Sequence, residues 1–205
     1  MEKPPNSTLL NICIIPTDSV SAACEVISRS FVSDNTMLTL GGDKFAHMTA
    51  YMARFEDDHI DRVIQVTKEV IESIESFYCE QTGYFMTEGR YLEVLYRRSK
   101  EFVQLHKALI AGVAGLRINP GQPYEEGYFT PYNQEQRQNA IETGYDLSRN
   151  LFRPHITLTR YKVNKVPRAF PALPKANLSF SLNRICIYKA DDNGAVYERI
   201  ADFNI

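Results

Sequence analysis

Arg153–Tyr161, RPHITLTRY, reads as a β-strand, and it carries His155 two positions before Thr157. Side chains at i and i+2 of a strand share a face, so the imidazole and the hydroxyl point in one direction. A lone histidine in such a strand is ordinarily a hydrogen-bonded core residue. A second copy of the pattern overturns that reading. The segment 45–55, FAHMTAYMARF, is also strand-like, and His47 and Thr49 repeat the spacing 108 positions upstream. Two of the chain's four histidines therefore sit in His-x-Thr. If the two strands face each other across a cleft, two imidazoles and two hydroxyls surround one small volume.

That set meets the needs of phosphodiester cleavage without a metal. One neutral imidazole removes a proton from the attacking water or hydroxyl, and one imidazolium protonates the departing oxygen. Histidine suits both tasks because its unperturbed pKa of about 6.5 makes either form available at neutral pH. The threonine hydroxyls can donate to non-bridging phosphate oxygens where charge develops. Which histidine is acid and which is base stays open at this point.

Working outward, residues 9–15 form an apolar run closed by Pro16, a strand interrupted only by Asn11. Thr17 or Asp18 caps a helix to about Val32, and 36–45 gives a strand followed by a turn at Gly41-Gly42-Asp43. In the His47 strand, strict alternation puts Phe45, His47, Thr49, Tyr51 and Ala53 on one face. Ile60, Val63, Ile64, Thr67, Val70, Ile71, Ile74 and Phe77 recur at helical spacing, which predicts a helix over 60–78. A hairpin turning at Glu88-Gly89 follows, then a helix capped by Ser99 through about Gly112. After an irregular stretch over 117–133, a helix is expected over 134–150, then the His155 strand and a final hairpin, 178–188 with 196–203. The order is strand, helix, HMT strand, helix and hairpin, then helices, HIT strand and hairpin. Each half holds one His-x-Thr strand.

The two HxT motifs, His47-Met48-Thr49 and His155-Ile156-Thr157, the second set in PHITLTR, resemble those of the 2H phosphoesterase superfamily. That superfamily includes the 2′-5′ RNA ligase-like proteins and the cyclic phosphodiesterases. The resemblance implies an α+β fold that is bilobal and pseudo-symmetric, with two antiparallel sheets around a central cleft and helices outside. It further implies that His47 and His155 are the acid–base pair and Thr49 and Thr157 the phosphate-binding hydroxyls. The expected activity is hydrolysis of a nucleotide or RNA-end phosphodiester, 2′,3′-cyclic or 2′-5′-linked. Two alternatives stand beside it: a non-catalytic nucleotide sensor with the same cleft, and 2′-5′ end-joining.

For substrate contacts, the strand faces nominate Tyr51, Tyr161 and Arg153, and position nominates Phe152 and the loop residues Tyr128 and Tyr132. Arg160 falls on the face opposite His155 if alternation is strict. His59 reads as solvated at a helix start and His106 as structural or exposed. Neither belongs to a zinc spacing, so no metal and no cofactor are expected. The formal net charge of −2 and a pI of about 6.1 give no general basic field, so a long nucleic-acid track is not expected. Cys13, Cys24, Cys79 and Cys186 form no CxxC pair, which fits reduced thiols. Without a signal peptide or an apolar run long enough to span a bilayer, a cytoplasmic monomer of one domain, 1–205, acting on a small substrate and not at a membrane, is the expectation.

Overall fold

The computed structural model describes residues 6–118, 132–162, 173, 175–191 and 194–205. Along the chain run β1 (Ser7–Ile14), α1 (Asp18–Ser30), β2 (Thr36–Thr39), β3 (Met48–Glu56) and α2 (Ile60–Glu72). Next come a short β4 (Tyr78–Cys79), the hairpin β5 (Gln81–Met86) and β6 (Tyr91–Tyr96), and α3 (Lys100–Val113). The described elements end with α4 (Gln134–Thr143), β7 (His155–Tyr161), β8 (Phe180–Ser181), β9 (Arg184–Ala190) and β10 (Val196–Asn204).

The strands form two four-stranded antiparallel sheets, β10-β9-β1-β3 and β2-β7-β6-β5, with β4 and β8 as a separate pair. This is the α+β, two-sheet arrangement that the resemblance to the 2H phosphoesterases implied. Each His-x-Thr motif lies in its own sheet, β3 in the first and β7 in the second. The helices cross over between them. Ser28 of α1, which leaves the first sheet from β1, bonds to β7 of the second. His106 of α3, which follows β6 of the second sheet, bonds to β3 of the first. The two halves are thereby interlocked.

Two helices are shorter than their apolar patterns. α2 ends at Glu72 instead of running to 78, because Tyr78–Cys79 pairs with Phe180–Ser181. Ile74 and Phe77 still pack on the core, with Phe77 edge-on to Phe102 at 4.8 Å, so the periodicity outlives the helix. α4 starts on a capping box between Asn133 and Gln136 and stops at Gly144, whose φ of 81° ends the helix in a left-handed turn. The remainder of the expected 134–150 helix is irregular chain with one 3₁₀ turn, Arg149–Leu151. The Gly41-Gly42 turn has the positive φ its residues invite. All four cysteines are buried and unpaired. Among the described residues no helix is long and apolar enough to cross a membrane.

Candidate active site

The ladder breaks at the same place in both motif strands. Opposite β1, Cys13 pairs with Thr49 and Ile12 with Tyr51, so Ala50 has no partner. Opposite β6, Glu93 pairs with Thr157 and Leu92 with Thr159, so Leu158 has none. An extra residue in one strand is a β-bulge, and it moves every later side chain to the other face. Both bulges fall one residue after the motif threonine.

Each bulge carbonyl is taken by the crossing helix. His106 Nδ1–H donates to the oxygen of Ala50 at 2.7 Å, and Ser28 Oγ–H donates to that of Leu158 at 2.5 Å. Ser28 also accepts the amide of Leu40 at 2.8 Å. His106 Nε2 accepts the amide of Arg149 at 3.2 Å, and its ring stacks on Phe152 at 3.9 Å. Burial holds the His106 pKa down at about 4, as this neutral two-bond role requires.

The bulges correct several expectations drawn from strict alternation. Tyr51 turns away from Thr49 into the core, fully buried, and its hydroxyl donates to the Thr143 carbonyl. Tyr161 is likewise fully buried and donates to Phe31 O at 3.2 Å. Neither ring is open to a base. Phe152 is occupied by its stack on His106, and Tyr132 is buried in the loop before α4. Tyr128 lies outside the described residues. Arg160 returns to the face of Thr157 and stands over the Tyr91 ring at 4.6 Å. His59 is part-buried rather than solvated, donating from Nδ1 to Leu116 O at 2.9 Å.

The two motif histidines share one local geometry. His47 Nδ1 is 3.1 Å from Phe45 O, and His155 Nδ1 is 2.7 Å from Arg153 O. A carbonyl only accepts, so Nδ1 carries the hydrogen in both rings and each Nε2 is left for proton transfer. Burial lowers His47 to about 4, opposed by the Phe45 carbonyl and reinforced by the nearby charge of His155. His47 is thus a neutral imidazole at physiological pH.

Other side chains lie directly beside the motif residues. Asn11, fully buried on β1, donates from Nδ2 to Thr49 Oγ1 at 3.0 Å. That bond takes a lone pair of the hydroxyl and leaves its hydrogen free to donate. Phe45 packs against His47 at 5.7 Å and against Tyr188 at 4.9 Å, forming an aromatic wall beside the imidazole. Glu93, 4% exposed on β6, bonds Arg153 at 2.5 Å and comes within 3.6 Å of His155 Nε2. Arg153 also covers the Phe85 ring at 4.7 Å. The signals for Asn11 and Glu93 were single polar residues inside the apolar runs LLNICII and YLEVLY.

One group of metal-type ligands occurs among the described residues, Glu56, Asp58 and His59. It sits at the β3–α2 junction and includes no motif residue.

A family model of the 2′-5′ RNA ligase superfamily matches residues 40–194, a span that contains both motifs. The chain belongs to that superfamily, the 2H phosphoesterases. Solved structures with the same fold include TT0787 of Thermus thermophilus, at 20% identity and a TM-score of 0.66, covering 96% of this chain and 97% of that one. E. coli LigT complexed with 3′-AMP is 13% identical with a TM-score of 0.64, covering 97% and 98%. A structure described as a phosphoesterase is 14% identical, TM-score 0.64, with the same coverage. Curated protein sequences give no match.

Proposed function

We propose that this 2H phosphoesterase hydrolyses a phosphodiester of a nucleotide or RNA end, 2′,3′-cyclic or 2′-5′-linked, by two-histidine acid–base catalysis without a metal ion. The observation that carries this reading is the matched pair of imidazoles. Each is oriented by a backbone carbonyl two residues earlier, and each has a threonine two residues later in its strand. His47 is poised as a neutral base. Thr49 and Thr157 supply hydroxyl donors to the non-bridging oxygens, where such donors contribute most as charge builds.

Further support comes from the fold, which is that of a protein crystallised with 3′-AMP. The Phe45–Tyr188 wall offers a surface for a base, in place of the tyrosines the sequence nominated. The experiment is a hydrolysis screen over 2′,3′-cyclic nucleotides, 2′-5′-linked dinucleotides and cyclic-phosphate RNA ends, in EDTA, with the His47→Ala/His155→Ala double variant as blank. Turnover by the native chain alone supports the reading. Binding without turnover on every member would replace it with a nucleotide sensor, and loss of turnover in EDTA with a metal mechanism.

A further inference from the structure

The two halves of the site match in their motifs but not in the strand beside them. Opposite Thr49 the ladder holds Cys13, whose thiol burial pushes well above its ordinary pKa and so keeps neutral. Opposite Thr157 it holds Glu93. Paired residues on adjacent strands share a face, so one motif has a neutral neighbour and the other a carboxylate. Glu93 Oε1 lies 3.6 Å from His155 Nε2, the nitrogen left for chemistry, while Oε2 bonds Arg153 at 2.5 Å. Arg153 also supplies the carbonyl that orients Nδ1 of His155. A buried carboxylate at this distance favours an imidazolium over a neutral ring. Among the described residues, His47 from the β3 side, Arg153 ahead of β7 and Asp146 between α4 and β7 also bring charged or titratable groups to His155. Asp146 is buried and bonded to Gln136 at 3.0 Å, and burial raises its carboxyl to about 6.

We propose that Glu93 is a positioning residue that holds the reactive proton on Nε2 of His155, making His155 the general acid and His47 the general base. This rests on the phosphodiester-cleaving reading above. With a cyclic phosphate, water attacks phosphorus and gives its proton to His47 Nε2. The bond from phosphorus to the departing ribose oxygen breaks, and that oxygen takes the proton from His155 Nε2. The products are a phosphomonoester, a protonated His47 and a neutral His155, and exchange with water restores the starting state. The neutral surroundings of Thr49 and the charged surroundings of Thr157 thus give a direction to a nearly symmetric site.

The test is a histidine NMR titration of the native chain and Glu93→Gln, needing no substrate. The native protein is expected to protonate His155 before His47 as pH falls. In Glu93→Gln, His155 should bind its proton about tenfold more weakly, which is one pH unit in the midpoint. If Glu93 merely anchors Arg153, the midpoint will not move, and the proposal fails. It also fails if His47 takes the first proton. Glu93→Gln/Arg153→Gln, which leaves no orphaned charge, keeps the test available should the single variant not fold. Against Arg153→Gln alone it must show the same weakening. On a cyclic nucleotide, the alkaline limb of kcat/KM should move to lower pH in Glu93→Gln and return in Glu93→Asp. A native chain that turns over no phosphodiester would remove the catalytic reading while leaving the titration to judge Glu93.

Discussion

Nδ1 of His106 lies 2.7 Å from the carbonyl oxygen of Ala50, the bulge residue that follows the first His-x-Thr. Its Nε2 accepts the Arg149 amide, six residues before the second motif histidine. One neutral imidazole therefore ties the backbone of β3 to the approach to β7. Replacing His106 with Gln is expected to cost about 1–3 kcal/mol at pH 7, since the buried Ala50 carbonyl and the part-buried Arg149 amide lose well-placed partners. The cost should also depend on pH. His106 has a folded pKa of about 4, below the unfolded 6.5, so the unfolded chain binds its proton first. Its contribution is full above pH 6.5 and is lost as pH falls toward 4. Asp146, raised to about 6, works in the opposite direction, adding stability as pH falls from 6 toward 3.8. Urea denaturation of native and variant proteins between pH 4 and 7.5 isolates the His106 share, because Asp146 is common to both. The stability gap should narrow as pH falls.

Ser28 plays the corresponding part at Leu158, with one bond to the bulge carbonyl and one from Leu40 N–H. Ser28→Ala should destabilise by about 1–3 kcal/mol, leaving two buried backbone groups without that partner. Thermal denaturation reads it. A change within experimental error would mean the second bulge is held by the ladder alone.

Asn11 and Thr49 are expected to act as one unit. Thr49→Val should lower kcat about a hundredfold, the scale for losing one preorganised donor. Asn11→Leu frees the hydroxyl to rotate and should lower kcat less. If Asn11 acts only through Thr49, the double variant will be no worse than Thr49→Val. Steady-state kinetics on a cyclic nucleotide measure all three, and strict additivity would contradict the coupling.

The aromatic residues divide by what they touch. Tyr51→Phe removes only a bond to the Thr143 carbonyl and should cost about 1 kcal/mol of stability with KM unchanged. Tyr188→Ala opens the wall against Phe45 and should raise KM about tenfold, the loss of one base-stacking contact. A KM effect at Tyr51 with none at Tyr188 would reverse the assignment.

Much of this was legible in the sequence because the relevant signals are local. His155 and Thr157 declare themselves through a two-residue spacing, and the repeat at His47 and Thr49 gives the pair its meaning. Element order follows from alternation and helical periodicity, and the two-sheet fold from the family resemblance that the two motifs carry. The bulges at Ala50 and Leu158 were not legible, since nothing in either residue requires an unpaired position. With them went the faces of Tyr51, Tyr161 and Arg160, each displaced by that single extra residue. Helix ends were missed for a related reason: Ile74 and Phe77 keep facing the core after α2 has ended. Glu93 and His106 gain their roles from strands and helices far away in the chain, and only the fold brings them to the motifs.

If His47 is the general base, as proposed, it sets the acid limb. With its pKa lowered to about 4, it stays neutral through mildly acidic pH, and kcat/KM should fall only as pH drops through about 4. A limb near 6.5 would mean that His47 is not desolvated in the working enzyme.

The most direct measurement is turnover of 2′,3′-cyclic nucleotides, in EDTA, by His47→Ala and His155→Ala separately, with circular dichroism to confirm folding. Each substitution should lower kcat by about 10²–10⁴-fold, the range for one acid–base group, while EDTA leaves the native rate unchanged. Near-native rates in both folded variants, on a substrate the native chain hydrolyses, would contradict two-histidine catalysis.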